Sequence, residues 1–486
     1  MKSKAMTILK RSVALLLAGL VVLLAWRVYD ALRAPHLELW HTFAPDEATA
    51  AQIDKLDWAG YLQHEAKLFE QVRTEVTDKL GPDARIESNR YFAESPLYPG
   101  RFATDWNRSY VMAPQGKPVG AVVLLHGLTD SPYSLRHVAR RYVQAGYVAV
   151  AIRLPGHGTV PAGLSDVEWE QWMAATRLAV REARRLAPAP APLHLAGFSN
   201  GGALAMKHAL DALDDKTLAS PERIVLFAPM IGITSLARFA GVFGWPALLP
   251  AFDKAAWLGI VPEFNPFKYN SFPVNGARQS SLVARRLQAQ IDRRAGDGSL
   301  KELAPVLTFQ SVVDFTVSTR AIVNALYARL PANGSELVLF DINRQPKFRT
   351  LIRTSTDTMV ARLLPEAPRN FRSTLVTNRS PRSDEVVART VEAGSTVETV
   401  TELGVAFPQG VFSLSHLAIP FPLSDPLYGL EPDTSEDYGA NLGAMATRGE
   451  RGTLIVSIDS LARMSSNPFF DFVMQRIEAG IGQPAR

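Results

Sequence analysis

The stretch LHLAGFSNGG, residues 193–202, determines the fold that this sequence predicts. Residues 193–198 are an apolar run typical of a buried β-strand, and residues 200–213 have the pattern of a helix. The turn between them, residues 197–201, matches the pattern G-x-S-x-G. A strand, a strained turn and a helix in this order expose a serine hydroxyl at the carboxyl end of a sheet. We therefore predict that Ser199 is a nucleophile. The alternative is a surface serine in a glycine-rich turn.

Predicted strands and helices alternate on both sides of this turn. The predicted strands occupy residues 119–125, 147–152, 223–227, 306–309 and 336–341. The predicted helices occupy residues 131–144 and 165–186, and a capping box of Ser165 and Glu168 begins the second of them. Such alternation indicates the α/β class, with a mostly parallel, doubly wound sheet between helices.

The general base is identified by elimination. Where a turn of this kind carries the nucleophile, the catalytic residues follow one another along the chain as serine, acid and histidine, so the histidine comes after the nucleophile. Of the nine histidines, only His208 and His416 follow Ser199. Because His208 lies in the helix that begins at the serine, its side chain cannot return to the hydroxyl. We therefore predict His416 as the general base, the alternative being a partly exposed loop histidine.

The acidic partner of that histidine should follow a strand of the same sheet. Asp314 lies in the turn after the strand at residues 306–309. A buried carboxylate there would hold the histidine tautomer and stabilise the imidazolium that forms during attack. We predict Asp314 in this role. The alternatives are Asp341, which ends the next apolar run, and Asp384.

Two backbone N–H groups are candidates for an oxyanion hole. His126, Gly127 and Leu128 directly follow the strand at residues 119–125. A turn of this type presents the N–H of Leu128, and Asn200 presents a second N–H just after the nucleophile. Each such donor lowers a reaction barrier by about 2.7–4 kcal/mol. His126 itself is predicted to be structural.

Together these motifs resemble the α/β-hydrolase superfamily, and within it the branch of monoacylglycerol lipases, lysophospholipases and serine aminopeptidases. Residues 124–131 (LLHGLTDS) resemble the oxyanion turn of that branch, residues 153–159 (RLPGHGT) its R-G-H-G-type loop, and residues 197–201 its nucleophile turn. The resemblance implies the α/β-hydrolase fold and a structural role for His157. The chain departs from the family pattern by about 70 residues inserted between the predicted strand that ends at Asp341 and His416.

The chain divides into segments of different composition. We predict a membrane anchor or signal segment at residues 1–30, a helical lead-in at residues 31–110, a catalytic domain at residues 111–229 and 304–486, and a helical cap insertion at residues 230–303. Aromatic residues of the cap either pack its interior or line a substrate pocket. These residues are Phe239, Phe243, Trp245, Phe252, Trp257, Phe264, Phe267, Tyr269 and Phe272. The further predicted elements are strands at residues 374–377 and 453–458 and helices near residues 384–393 and 469–479.

The N-terminal segment has features of two kinds of targeting sequence. Its apolar run, residues 12–26, contains 15 residues, a length that favours a cleaved signal peptide. Trp26, Arg27 and Tyr29 follow where a cleavage site needs small residues, which favours an uncleaved membrane helix. We predict a single N-terminal anchor with the catalytic domain outside the cytoplasm, since the basic start stays inside. Secretion after signal cleavage is the alternative.

Composition excludes several functional classes. The chain has no cysteine, which rules out a thiol nucleophile, disulfides and cysteine-ligated zinc. Its net charge of +5 arises from five basic residues that precede Asp30, so the rest of the chain is neutral and nucleic acid is not an expected partner. Because neither a metal-ligand cluster nor a nucleotide-binding motif occurs in the sequence, we expect no cofactor and no metal.

The sequence therefore predicts a serine hydrolase that cleaves carboxylic esters, either small molecules or lipid and acyl esters. The membrane, contacted through the N-terminal helix, is its other predicted partner. Two alternatives remain open. One is a peptidase or amidase with the same triad, and the other is a non-catalytic, membrane-tethered interaction protein that retains the fold.

Overall fold

The apolar runs on both sides of Ser199 become neighbouring strands of one sheet. The computed structural model describes residues 2–232, 250–346, 353–354, 356, 362–408, 410–444 and 466–481. Its strands are β1 (Tyr110–Met112), β2 (Gly120–Leu125), β3 (Tyr147–Ile152), β4 (Leu193–Phe198), β5 (Arg223–Phe227), β6 (Trp257–Gly259), β7 (Phe272–Pro273), β8 (Val306–Ser311), β9 (Glu336–Phe340), β10 (Arg372–Asn378), β11 (Glu385–Val391) and β12 (Glu398–Ala406).

Ten of these strands form one sheet in the order β1-β3-β2-β4-β5-β8-β9-β10-β11-β12. The strands from β3 to β10 in this order are all parallel, whereas β1, β11 and β12 pair antiparallel with their neighbours. Every residue of β2, β3, β4, β8 and β9 is buried, as expected for parallel strands that are covered on both faces. The predicted α/β class with a mostly parallel sheet is confirmed.

Helices cover the sheet, and further helices lie in the N-terminal segment that precedes it. They are α1 (Lys2–Arg33), α2 (Leu39–Thr42), α3 (Ala50–Lys55), α4 (Trp58–Val72), α5 (Arg136–Gln144), α6 (Gly163–Asp166), α7 (Trp169–Leu186), α8 (Asn200–Asp214), α9 (Val274–Asp297), α10 (Thr319–Ala321) and α11 (Phe470–Glu478). Helix α7 packs on β2 and β3, α8 packs on β4, and α9 packs on α8. The strand–helix alternation therefore brings α8, and with it Ser199, to the middle of the sheet.

The predicted capping box of Ser165 and Glu168 is wrong. Ser165 lies within the short helix α6, and the extended backbone of Val167 separates that helix from α7. Glu168 is the N-cap of α7, and its partner is Gln171, whose side chain accepts the backbone N–H of Glu168 at 2.7 Å. Glu168 rather than Ser165 is therefore the N-cap, and α7 begins three residues later than predicted.

The predicted helix near residues 384–393 is also wrong, because this segment forms strand β11. It pairs antiparallel with β10 and with β12, a strand that the sequence analysis did not predict. Four of its seven residues, Val386, Val387, Thr390 and Val391, are β-branched and fit a pleated strand once neighbouring strands pair with it. The predicted strand at residues 374–377 forms part of β10, whereas that at residues 453–458 lies outside the described residues.

The described part of the predicted cap contains β6, β7 and α9. Residues 233–249, with Phe239, Phe243 and Trp245, lie outside the described residues. Phe264, Phe267 and Tyr269 are buried in the hydrophobic core that includes the central strands. These three aromatic residues therefore have the packing role that was one of their two predicted roles.

The N-terminal segment has a packed part and a largely exposed part, helix α1, in which Arg27 donates to the carbonyl groups of Ala255 and Trp257. A 24-residue stretch of α1, Lys10–Arg33, is long and apolar enough to cross a membrane and is almost unburied, features that a signal sequence can share. Helices α3 and α4 instead pack on α7. Their buried side chains, with those of the following loop, join the central core: Ile53, Tyr61, Leu97 and Trp106.

Candidate active site

The nucleophile elbow, residues 197–201, connects β4 to α8. Ser199 has φ 52° and ψ −113°, a backbone conformation that a residue with a Cβ rarely adopts. Strain of this kind costs about 1–3 kcal/mol and persists only where the surrounding structure imposes it. Here the Ser199 N–H donates to the carbonyl of Phe227 at 2.9 Å, and the Met230 N–H donates to the carbonyl of Ser199 at 2.9 Å. The elbow is thus fixed to the end of β5.

Close backbone packing explains the two glycines of the elbow. A Cβ on Gly201 would lie 1.9 Å from the carbonyl oxygen of Leu125, and a Cβ on Gly197 would lie 2.4 Å from the carbonyl oxygen of Gly201. Neither distance is compatible with a side chain. The first turn of α8 therefore passes directly over the end of β2, and only glycine permits this approach.

The oxyanion turn, residues 126–129, lies against the elbow. A Cβ on Gly127 would be 3.3 Å from the ring of Phe198 and 3.4 Å from the Cβ of Ser199. The turn ends at Thr129, which has a positive φ of 62° and accepts a hydrogen bond from the Tyr269 N–H at 2.7 Å. Leu128 within the turn and Asn200 at the start of α8 therefore lie on the two segments that flank Ser199.

His126 is occupied by structural hydrogen bonds. The Leu154 N–H donates to its Nε2 at 3.0 Å, and its Nδ1 is 2.9 Å from the carbonyl oxygen of Gly127. Burial, aided by repulsion from His157, holds the pKa of His126 well below its usual value. The ring is therefore neutral, with its proton on Nδ1, as expected for the predicted structural role.

The structure brings Asp314 and His416 together. The His416 Nδ1 and the Asp314 Oδ2 are 2.8 Å apart, and the Asp314 side chain is fully buried in the turn after β8. The other carboxylate oxygen accepts the backbone N–H groups of Thr316 at 2.7 Å and Val317 at 2.9 Å. Four hydrogen bonds, including one from Gln310 at 3.1 Å, thus fix the carboxylate.

The charge of Asp314 follows from this environment. Burial alone would raise the pKa of Asp314, but the nearby His416 and the hydrogen bonds from His416, Val317 and Thr316 outweigh it and lower that pKa below its usual value. Asp314 is therefore an acceptor for the Nδ1–H of His416. This tautomer leaves the Nε2 of His416 with a free lone pair.

His416 also lies beside the elbow. Its ring centroid is 5.2 Å from that of Phe198, the residue that precedes Ser199. Within the described part of the chain, the Ser199 hydroxyl makes no hydrogen bond, and Ser199 is 9% exposed. The imidazole therefore lies beside the residue that precedes the nucleophile and makes no hydrogen bond to the Ser199 hydroxyl.

The alternative candidates have other partners. Asp341 is buried, forms an ion pair with Arg344 at 2.7 Å and accepts the Thr377 hydroxyl at 3.0 Å. Asp384 is exposed just before β11. His208 is buried in α8, where its Nε2 is 3.2 Å from the carbonyl oxygen of Ala219. None of the three contacts His416 or Ser199 in the described residues.

Two residues near the site escaped the sequence analysis. The Ser280 hydroxyl of α9 donates to the Asn200 Oδ1 at 2.7 Å and so links α9 to the elbow. Asp425, nine positions after His416, is fully buried and accepts hydrogen bonds from Arg136 at 2.8 Å and Tyr133 at 2.9 Å. Neither contact belongs to a short motif, so no local sequence pattern indicates it.

Part of the chain is similar to known proteins. Residues 116–342 match the family model described as serine aminopeptidase, S33. A thermostable monoacylglycerol lipase from Bacillus sp. (strain H-257) is 26% identical over 203 residues, which are 41% of this chain and 72% of the lipase.

Solved structures are also similar to part of the chain. The monoacylglycerol lipase from Paleococcus ferrophilus is 18% identical, and the match covers 52% of this chain and 99% of that chain, with a TM-score of 0.36. A soluble variant of monoglyceride lipase from Saccharomyces cerevisiae, in complex with a substrate analog, is 15% identical, with 52% and 90% covered and a TM-score of 0.37.

The sheet order and the strained elbow define an α/β-hydrolase fold, and by the family match over residues 116–342 the chain is similar to the α/β-hydrolase superfamily. Within the superfamily it is similar to the branch that includes serine aminopeptidases and monoacylglycerol lipases. The predicted superfamily, branch and enzyme class, a hydrolase, are confirmed. Among the described residues, no cluster of three or more histidine, aspartate or glutamate side chains is arranged to hold a metal.

Proposed function

We propose that this chain is a serine hydrolase that cleaves carboxylic esters, with Ser199 as nucleophile, His416 as general base and Asp314 as its acidic partner. The observation that carries the proposal is the 2.8 Å contact between His416 and Asp314 beside the strained elbow. In α/β-hydrolases, a buried carboxylate contacts an imidazole, and the imidazole in turn activates the serine hydroxyl.

The proposed reaction begins when the Nε2 of His416 accepts the Ser199 proton as Oγ attacks the ester carbonyl carbon. As the carbonyl oxygen becomes negatively charged, it accepts hydrogen bonds from the backbone N–H groups of Leu128 and Asn200. The His416 imidazolium, stabilised by Asp314, then protonates the leaving alkoxide. Water attacks the acyl-enzyme by the same route and releases the carboxylic acid.

This reaction requires the Ser199 Oγ and the His416 Nε2 to approach within hydrogen-bond distance. Catalytic hydrogen bonds are often long or misaligned in an enzyme without substrate and tighten when substrate binds. The unengaged Ser199 hydroxyl and the neighbouring position of His416 are consistent with such a change.

The similarity to a monoacylglycerol lipase favours an ester of glycerol or another lipid as substrate. The second candidate, a peptidase or amidase that uses the same triad, is favoured by the description of the matching family as serine aminopeptidase. The third, a non-catalytic protein tethered to a membrane, predicts an unreactive Ser199.

The domain limits and the cellular location are also proposals. We infer that α1 anchors the chain in a membrane, supported by its long, apolar and almost unburied stretch. Residues 111–229 and 304–486 would form the catalytic domain, residues 230–303 the cap, and the catalytic domain would lie outside the cytoplasm. Cleavage of α1 as a signal sequence would give a secreted enzyme instead.

A substrate panel tests the function. Purified full-length protein in detergent is assayed with p-nitrophenyl esters of increasing chain length, monoacylglycerols and aminoacyl anilides. Hydrolysis of the esters but not of the anilides supports the proposal, and the longest ester that is cleaved well gives the acyl preference. Preferential cleavage of the anilides would establish the peptidase, and no turnover of any substrate would favour the non-catalytic protein.

A further inference from the structure

The N-terminal segment forms a buried ionic contact with the loop at residues 153–159, here called the Arg153 loop. Arg153 is fully buried, and its guanidinium binds both oxygens of Glu47 at 2.7 and 3.1 Å and one oxygen of Glu65 at 3.3 Å. The Glu47 and Glu65 side chains are 9% and 3% exposed. Buried charges of this kind are stable only as a complete, hydrogen-bonded set.

The same segment also holds the backbone of the Arg153 loop. The Tyr61 hydroxyl donates to the carbonyl of Arg153 at 2.6 Å, and the Arg153 N–H donates to the Ser109 hydroxyl at 2.8 Å. Glu47 accepts the N–H of Gly156 at 2.7 Å. The position of this loop is therefore determined by residues that precede the first strand of the sheet.

The Arg153 loop in turn holds the oxyanion turn at both ends. At one end, the Leu154 N–H donates to His126, whose other ring nitrogen contacts the carbonyl of Gly127. At the other end, the Tyr269 hydroxyl donates to the carbonyl of Gly156 at 3.1 Å, while its N–H donates to the carbonyl of Thr129 at 2.7 Å. The hydrogen bonds from Tyr61, Leu154 and Tyr269 are buried, and those that Glu47 accepts are partly buried.

We propose that the N-terminal segment, residues 34–109, is a positioning element for the oxyanion hole: Glu47 and Glu65 fix the Arg153 loop, which fixes the Leu128 N–H relative to Ser199. The inference rests on the proposed function and gives residues 34–109 a role beyond that of a spacer. An oxyanion donor acts on charge that exists only in the transition state, so its displacement lowers kcat and leaves KM almost unchanged. A displacement of about 1 Å can cost about 10²-fold in rate.

A pair of matched variants tests this role. Glu47→Gln keeps the side-chain size and an oxygen for the Gly156 N–H, but it removes the charge that faces Arg153. The control is Asp54→Asn, which makes the same change in the same segment, where Asp54 pairs with Arg177 at 2.6 Å on the surface of α7. We expect kcat for a p-nitrophenyl ester to fall about 10–100-fold in Glu47→Gln with KM within about twofold, and both constants to stay within about twofold in Asp54→Asn.

A second readout separates positioning from general damage. A trifluoromethyl ketone forms a tetrahedral oxyanion on the serine. Its inhibition constant should therefore rise by the same factor by which kcat falls, whereas KM should stay unchanged. Tyr269→Phe removes the hydroxyl that contacts Gly156 and Thr159, both in the Arg153 loop. It should show the same pattern at about 3–10-fold, and it decides the matter if Glu47→Gln does not fold.

The possible outcomes separate the two proposals. Folded Glu47→Gln and Tyr269→Phe proteins with the kcat and KM of Asp54→Asn would overturn the positioning role while leaving the esterase proposal intact. An equal loss in Asp54→Asn, or a loss in KM rather than kcat, would also overturn it. A wild-type protein that hydrolyses no ester would contradict the proposed function itself.

Discussion

The two ends of the proposed triad are held in different ways. Ser199 is held by its immediate sequence neighbours: β4 before it, α8 after it and the end of β5 beside it. His416 lies in a loop, and its partner Asp314 is 102 positions earlier in the chain. Asp425, which follows His416 in the same region, binds Arg136, 289 positions earlier. The nucleophile geometry is therefore a local property of the sequence, whereas the histidine geometry depends on tertiary packing.

Removal of the nucleophile should have the largest effect on activity. We expect Ser199→Ala to lower kcat for a p-nitrophenyl ester by about 10⁶-fold, because no other group takes over the attack. The fold should remain, because the variant removes only a hydroxyl that makes no hydrogen bond to the described residues. Circular dichroism can verify this. A variant that keeps more than about 1% of wild-type activity would mean that the local motif is not the catalytic one.

Removal of the charge of the acid should have the next largest effect. We expect Asp314→Asn to lower kcat by about 10⁴-fold, because an amide no longer holds the Nδ1–H tautomer of His416. The control is Asp341→Asn, a buried aspartate that pairs with Arg344 and should alter stability rather than kcat. The reverse pattern in steady-state kinetics would transfer the role to Asp341.

Loss of the Asp425 charge should act on stability. Asp425→Asn leaves the buried Arg136 with only the more distant Glu436, at 3.9 Å, as a counter-charge. We therefore expect a loss of about 3–5 kcal/mol in the free energy of unfolding at pH 7. Burial alone would raise the pKa of Asp425, but Arg136 and His137 lower it far below its usual value. Because the folded-state pKa is depressed, the stabilisation is present above about pH 4 and is lost as the pH falls towards the folded pKa.

Urea unfolding of both proteins between pH 7 and pH 3 measures this dependence. The difference between wild type and Asp425→Asn should shrink below about pH 4. A difference that stays constant with pH would show that the carboxylate charge is not what stabilises the loop.

A methyl group in the elbow should have the smallest of these effects. We expect Gly201→Ala to destabilise the protein by about 1–3 kcal/mol, because its Cβ would meet the carbonyl oxygen of Leu125. Gly296→Ala, in α9 with no atom within 4 Å of the added Cβ, should instead be neutral or stabilising. Equal melting temperatures for the two variants would contradict the close packing of α8 on β2.

This contrast also explains what the sequence could predict. Strands β3, β4 and β5 were predicted to the residue, since continuous apolar runs with polar ends specify a buried parallel strand. The β11 segment was misread as a helix, because its strand identity depends on pairing with β10 and β12 rather than on its own pattern. Its position in the sheet is a tertiary property.

The candidate site shows the same division. The prediction of Ser199 rested on the five consecutive residues 197–201. The prediction of His416 rested on the small number of histidines that follow Ser199 in the sequence. No such shortcut led to Glu47 or Asp425, because their partners are 106 and 289 positions away and belong to no motif. Buried ion pairs between distant segments can be found only when the fold brings them together.

The identity of the reactive residue and its dependence on His416 test the central claim most directly. The wild-type protein, His416→Ala and His208→Ala are treated with a fluorophosphonate, and the modified peptide and the rate of labelling are determined by mass spectrometry. The account predicts a single adduct on Ser199, formed at the wild-type rate in His208→Ala and about 10²–10⁴-fold more slowly in His416→Ala. An adduct on another residue, or an unchanged rate in His416→Ala, would contradict it.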